Sequence, residues 1–205
     1  MRITWLGHSC FRLESQESSL VIDPYDDPEG SLRLPPMCAT ADAVVCSHEH
    51  TDHNNRSAVS LTGRPCALQV ETIKTYHDDC LGQILGSNTI HIVSDGTVRV
   101  AHLGDLGHLL TPEQIAMLGK IDALMVNVGG YVQSEAAFAA KLAEQISPTV
   151  ILPMHYRSPD FGIPTMGTVG EFLSLVSPSE FSDHNFIDIS PGEKPRTVVL
   201  RFIPA

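Results

Sequence analysis

Ser47-His48-Glu49-His50-Thr51-Asp52-His53 sets three imidazoles and a carboxylate within six residues, directly after the apolar run Ala43-Val44-Val45-Cys46. That run reads as a buried strand. Side chains two apart in an extended segment point the same way, so His48 and His50 reach one ion from one side. A helix opening at Asn54-Asn55 would swing Asp52 and His53 to a neighbouring position, where they can hold a second ion. Imidazole and carboxylate together suit zinc, manganese or iron. A solvated loop accounts for a lone histidine after a strand, but not for this density of donors.

The rest of the composition mainly excludes. A chain of 205 residues, 42% of them hydrophobic, can bury a full core, and a single domain over 1–205 is the expectation. The formal charge of −11 argues against a dedicated nucleic-acid binder. It agrees with a carrier of divalent cations, and equally with an acidic surface that keeps a protein in solution. Five cysteines (Cys10, Cys38, Cys46, Cys66, Cys80) form no C-x-x-C pair, which points to reduced thiols and a cytoplasmic location. The N-terminus shows no signal-peptide pattern, and no run approaches the roughly 20 apolar residues that span a bilayer. Neither a membrane nor a nucleic acid is expected as a partner, and nothing marks or excludes a homo-oligomer.

Along the chain, Ile3–Leu6 and Cys10–Leu13 read as strands joined at Gly7-His8-Ser9, and Leu20–Asp23 as a third strand stopped by Pro24. Tyr25–Thr40 carries Pro28, Gly30, Pro35 and Pro36 and reads as a long loop, of the kind that walls or lids a site. Arg56–Leu61 suggests a short helix and Pro65–Val70 a strand. Thr89–Val93 and Val98–Leu103, joined at Ser94-Asp95-Gly96, suggest a hairpin. Thr111-Pro112-Glu113-Gln114 opens a helix with an N-cap and a proline at the first position. Ala123–Val128 and Val150–Leu152 read as buried strands, Ser134–Ile146 and Gly167–Val176 as helices, and Arg196–Phe202 as a last strand. A strand-rich first half followed by alternating strand and helix predicts two sheets packed face to face with helices outside.

Three further donors stand at strand ends, where ligands gather in α/β proteins. His77 follows an extended stretch and completes a three-histidine set with His48 and His50. Asp105 lies in His102-Leu103-Gly104-Asp105-Leu106-Gly107-His108, between glycines that let backbone approach an ion. His155 follows Val150–Leu152.

Gly7-His8-Ser9, Ile22-Asp23-Pro24, the Ser47–His53 cluster, His77-Asp78-Asp79, the His102–His108 segment and Pro153-Met154-His155-Tyr156 together resemble the metallo-β-lactamase superfamily. The likeness is to its short, compact branch, related to ascorbate-6-phosphate lactonase and N-acylphosphatidylethanolamine phospholipase D, and runs from Met1 to about Arg157. It implies an αββα sandwich with two divalent ions, zinc first, with manganese or iron as alternatives. His48, His50 and His77 would hold the first ion; Asp52, His53 and His155 the second; Asp105 would bridge them.

The chemistry implied is hydrolysis of a small ester, lactone, amide or phosphodiester. A hydroxide shared by ions about 3.5–4 Å apart would attack, with Asp52 orienting it and shuttling its proton. The resemblance also puts His8 beside the ions as a substrate or proton contact and Asp23 behind a ligand histidine. His108 is a candidate to face the substrate, His102 to support a ligand, and Arg157 to meet an anionic substrate. Two other readings of the same motif are a non-catalytic metal sensor and a di-iron redox centre.

Overall fold

The computed structural model describes residues 1–130 and 135–204. Its first sheet follows from two tight hairpins. β1 (Arg2–Gly7), β2 (Cys10–Ser15) and β3 (Ser18–Ile22) pair antiparallel in succession, β5 (Ala43–Val45) adds in parallel to β3, and β13 (Phe186–Asp188) closes the far edge against β1. The second sheet starts with the antiparallel strands β7 (Gln69–Tyr76), β8 (Ser87–Ser94) and β9 (Arg99–His102). It continues in parallel through β10 (Ala123–Asn127), β11 (Val150–Met154), β14 (Arg196–Val199) and β12 (Ser179–Phe181). A separate parallel pair joins β4 (Ala39–Ala41) to β6 (Val59–Leu61).

Period-two alternation sorts the first sheet's side chains into two layers. Ile3, Trp5, Phe11, Leu13, Leu20 and Ile22 face the second sheet and join its Ile90, Ile92, Val100 and Val126 in the main core. Cys10 and Val21 point the other way and pack with Tyr25, Leu32, Ala41 and Val59. Helices α1 (Pro112–Leu118), α2 (Glu135–Ile146) and α3 (Val169–Leu173) belong to the second sheet's side, with α2 packing on α3 and β10. On the first sheet that layer is thinner: the segment after Pro24 and the β4–β6 pair, through Ala41 and Val59, cover it, next to one 3-10 turn (Arg56–Ala58) that buries no side chain. The architecture is the expected two-sheet αββα sandwich. Among the described residues no helix is long and apolar enough to cross a membrane.

Several boundaries differ from the sequence reading. The helix expected over Arg56–Leu61 is a single 3-10 turn that passes into β6, because β-branched Val59 pairs with Ala39. At Asn54-Asn55 only that 3-10 turn opens, with Asn55 at its N-cap position, and it begins beyond Asp52 and His53. A turn closed by His53 N–H donating to His50 O makes the change of direction, and Asn55 is held by bonds to Pro24 O and Tyr25 O. Pro65–Val70 is extended only from Gln69, where pairing with Ser94 begins. β11 runs on through Pro153. Its nitrogen points towards β14, whose register on β11 stops at Ile151, so no ladder bond is lost there. Ser134 lies outside the described residues. β12 and β13, three residues each, were not expected.

Candidate metal centre

Each donor stands at or just beyond the end of a strand, and the ends converge on one rim of the sandwich. The Ser47–His53 segment follows β5, His77 follows β7, Asp105 follows β9 and His155 follows β11. His8 occupies the β1–β2 turn and Asp23 follows β3. Two ligand groups form. The ring nitrogens of His48, His50 and His77 lie within 4.8 Å of one another, and so do single donor atoms of His8, Asp52, His53 and His155.

Asp105 connects the groups. Its Oδ2 is 3.1 Å from His77 Nε2 on one side, and 3.3 Å from His53 Nε2 and 3.2 Å from His155 Nε2 on the other. Asp52 Oδ2 lies 3.7 Å from His53 Nε2 and 3.9 Å from His155 Nε2. All seven residues named as ligands from the sequence are therefore brought together.

Behind them a buried carboxylate sets the tautomers. Asp23 Oδ2 accepts from His53 Nδ1 at 2.9 Å and from Ser47 Oγ at 2.5 Å, while Oδ1 accepts from Ser47 N–H at 2.6 Å. With its hydroxyl hydrogen given to Asp23, Ser47 Oγ accepts from His48 Nδ1 at 2.9 Å. An ionised carboxylate can only accept, so both imidazoles carry a hydrogen on Nδ1 and keep the Nε2 lone pair. Both Nε2 atoms are buried and make no hydrogen bond. An orphaned buried acceptor is costly, and a divalent cation is the partner that two such nitrogens beside two carboxylates fit.

The electrostatics follow from burial and proximity. Burial first, with His53 beside it, pushes the His48 imidazole down to about 3. Burial and His155 bring His8 to about 4. At His53 burial opposes a charge, but Asp105 and Asp23 outweigh it and raise the group well above its ordinary value, so a proton and an ion compete for its Nε2. Asp105 is held well below the usual carboxylate range, since His155 and His53 overcome its burial. Three histidines facing one carboxylate oxygen therefore form a strongly coupled donor set.

The remaining sequence candidates are placed as follows. His8 is buried, and its Nε2 meets Asp52 Oδ2 at 3.0 Å. His102 Nε2 donates to Ser9 O at 2.8 Å while Nδ1 accepts from Gly104 N–H at 3.1 Å, which holds the base of the Asp105 loop against the β1–β2 turn. Its nearest approach to Asp23 is 3.9 Å. His108 has Nδ1 on Leu109 O and Nε2 on Tyr76 N–H, with its ring against Tyr76. Arg157 Nε donates to Met166 O at 2.6 Å.

The structure adds Asn127, which sequence reasoning passed over. Its amide donates to Asp105 Oδ1 at 2.8 Å and its carbonyl accepts from Gly129 and Gly130 N–H. The signal was a lone polar residue ending an apolar strand before Gly-Gly. Asn88, whose Oδ1 accepts from Asp105 N–H at 3.1 Å, gave no such signal. Two glycines are steric necessities here. A side chain at Gly129 would collide with His155 O, and one at Gly107 with His77 O.

Comparison with known proteins bears on the family and the fold. A family model described as a β-lactamase superfamily domain matches residues 2–155. A protein of Archaeoglobus fulgidus named as a metal-dependent hydrolase is 28% identical over 94% of the chain and 97% of its own length. A crystal structure from Thermotoga maritima, named for the metallo-β-lactamase superfamily, superposes with a TM-score of 0.73 at 32% identity, covering 97% of both chains. An isothiocyanate hydrolase from Delia radicum gut bacteria shares the fold at a TM-score of 0.65 and 14% identity, over 93% of this chain and 100% of its own.

Proposed function

The chain belongs to the metallo-β-lactamase superfamily, and on that premise we propose that it is a hydrolase that works with two divalent ions. The observation that carries this reading is Asp105 Oδ2, which lies about equally close to His77 on one side and to His53 and His155 on the other. A carboxylate shared in that way is what a two-ion centre requires. His48, His50 and His77 would hold one ion and Asp52, His53 and His155 the other, with Asp105 common to both. Zinc suits the histidine-rich set best, and manganese or iron suit the carboxylates. Such ions, when bound, acidify water and polarise the bond under attack.

The chain's own residues supply the rest. Asp52 keeps about a third of its side chain open to solvent, at 30%, whereas His53 and Asp105 are shut in. Asp52 is therefore the carboxylate that meets an entering water, orients it and takes its proton. Two segments beside the motif are tied together. The Arg33 guanidinium donates to Pro159 O at 3.1 Å and to Gly162 O at 3.0 Å, so the segment after Pro24 and the segment after His155 make one wall. Substrate selection belongs to that wall. A small ester, lactone, amide or phosphodiester fits the chemistry: water adds, the bond to the leaving group breaks, and acid and alcohol or amine separate.

The test combines metal content with turnover. Elemental mass spectrometry should find close to two ions per chain in the wild type and a clear loss in His48→Ala and Asp105→Ala. Zinc-, manganese- and iron-loaded protein is then offered panels of the four bond types. Hydrolysis that disappears with the ions supports the reading. Two retained ions without turnover on any panel would sink the hydrolase and leave a sensor.

A further inference from the structure

His8 makes three contacts with Asp52 and His155 of the second group, and its ring also meets the edge of the His53 ring, centroids 5.3 Å apart. Its side chain meets Asp52 Oδ2 at 3.0 Å. Its backbone carbonyl accepts from His155 N–H at 3.2 Å. Its ring lies over the His155 ring, centroids 4.1 Å apart at an angle of 41°. The His155 ring stacks more distantly on His53, at 5.5 Å, and its Nδ1 is buried without a hydrogen-bond partner, whereas His53 and His48 have Asp23 and Ser47 behind them. Ring-on-ring packing from His8 takes the place of that missing support.

The conformation of His8 is itself held in place against strain. Its φ of 50° lies in the left-handed region, which costs a non-glycine residue on the order of 1 kcal/mol or more. The same carbonyl that receives His155 N–H also accepts from Trp5 Nε1 at 2.9 Å, and Trp5 is packed by Tyr156, Phe161 and Phe202. Strain that the surroundings over-determine clusters where geometry matters. His8 Nε2 must donate, since an ionised Asp52 can only accept. That nitrogen therefore has no lone pair for an ion.

We propose that His8 is a positioning residue for the second ion: one side chain fixes both the Asp52 carboxylate and the His155 ring, and so sets that ion's affinity without binding it. The inference rests on the two-ion reading. It assigns His8 to the geometry of the ligands, not to the substrate, and it predicts an effect confined to one of the two ions.

The experiment titrates metal-free protein with zinc against a chromophoric chelator, resolving two stepwise constants. His48→Ala and His53→Ala identify which step belongs to which group. In His8→Ala the second-group constant should weaken about 10–100-fold while the first stays at its wild-type value, the range seen when a ligand's outer partner is removed. His8→Gln restores the donor to Asp52 and His8→Phe restores the ring against His155. Each should recover part of the loss, and far-UV circular dichroism checks that all three fold. Unchanged second-group affinity in His8→Ala overturns the proposal while the two-ion centre stands. Equal weakening of both ions, with no recovery in either partial variant, also overturns it, because His8 would then serve the fold at large. A wild type that takes up fewer than two ions overturns the two-ion reading and this proposal with it.

Discussion

At Asp23 one buried carboxylate governs two histidines in opposite groups, His53 directly and His48 through Ser47. Its φ of 49° is a conformation that asparagine tolerates, so Asp23→Asn changes the chemistry and spares the backbone. The amide keeps one accepting oxygen and puts a donating NH2 in place of the other. At least one of Ser47 N–H, Ser47 Oγ–H and His53 Nδ1–H is left facing a donor. Both ions should weaken together, by about 10–100-fold each, in a chelator-competition titration. Loss at one ion alone would show that the Ser47 relay does not orient His48. The seven candidate ligands were readable in the chain as a set because chemically suited residues stand at strand ends. Ser47 as a relay and Asn127 as a brace were not readable, because a hydroxyl or amide becomes a partner only when another strand delivers an acceptor to it.

Short elements behave differently from the long ones at the scale of strands and turns. β8 and β5 are legible from local pattern, one as half of a hairpin and the other as an apolar run, whereas β4, β6, β12 and β13 have three residues apiece and exist through their partners. The junction between β4 and β5 is held by Asp42, whose side chain accepts from Ser19 N–H at 2.8 Å, Arg64 Nε at 3.0 Å and the Thr62 hydroxyl. The Thr62 bond above all, joined by those from Ser19 and Arg64, outweighs burial and holds the carboxyl at about 2 against its ordinary 3.8. A folded value below the unfolded one means that the unfolded chain binds more protons between them. Asp42 therefore contributes its full stability above about pH 4 and loses it as the pH falls from about 4 towards 2. Urea midpoints measured across that range should fall more steeply for the wild type than for Asp42→Asn, and parallel curves would exclude Asp42 as the cause.

Across the whole molecule, the candidate ligands come from both sheets. His48 to His53 hang from the first sheet, and His77, Asp105 and His155 from the second. Ions held there would cross-link the sandwich at its rim and so couple binding to folding. With free metal at a thousandfold excess over its dissociation constant, one ion stabilises the folded state by about 4 kcal/mol. For a chain of this size, chelation should then lower Tm by roughly 10 °C, and restoring the metal should reverse it. An unchanged Tm would mean that the donors do not hold an ion in the folded protein.

Alternation of polar and apolar residues, the turn signals and the His-x-His-x-Asp-His cluster are local properties, so the chain alone determined the two-sheet class, the position of the donors and the family likeness. Which donors face each other is not local. The turn after His50 that replaces the expected helix, the shared position of Asp105, the placement of His8 across Asp52 and His155, and the packing of the segment after Pro24 over the first sheet each depend on contacts between residues far apart in sequence. Tertiary structure decided those, because a side chain's hydrogen-bond partner is set by the register of strands that sequence spacing does not encode.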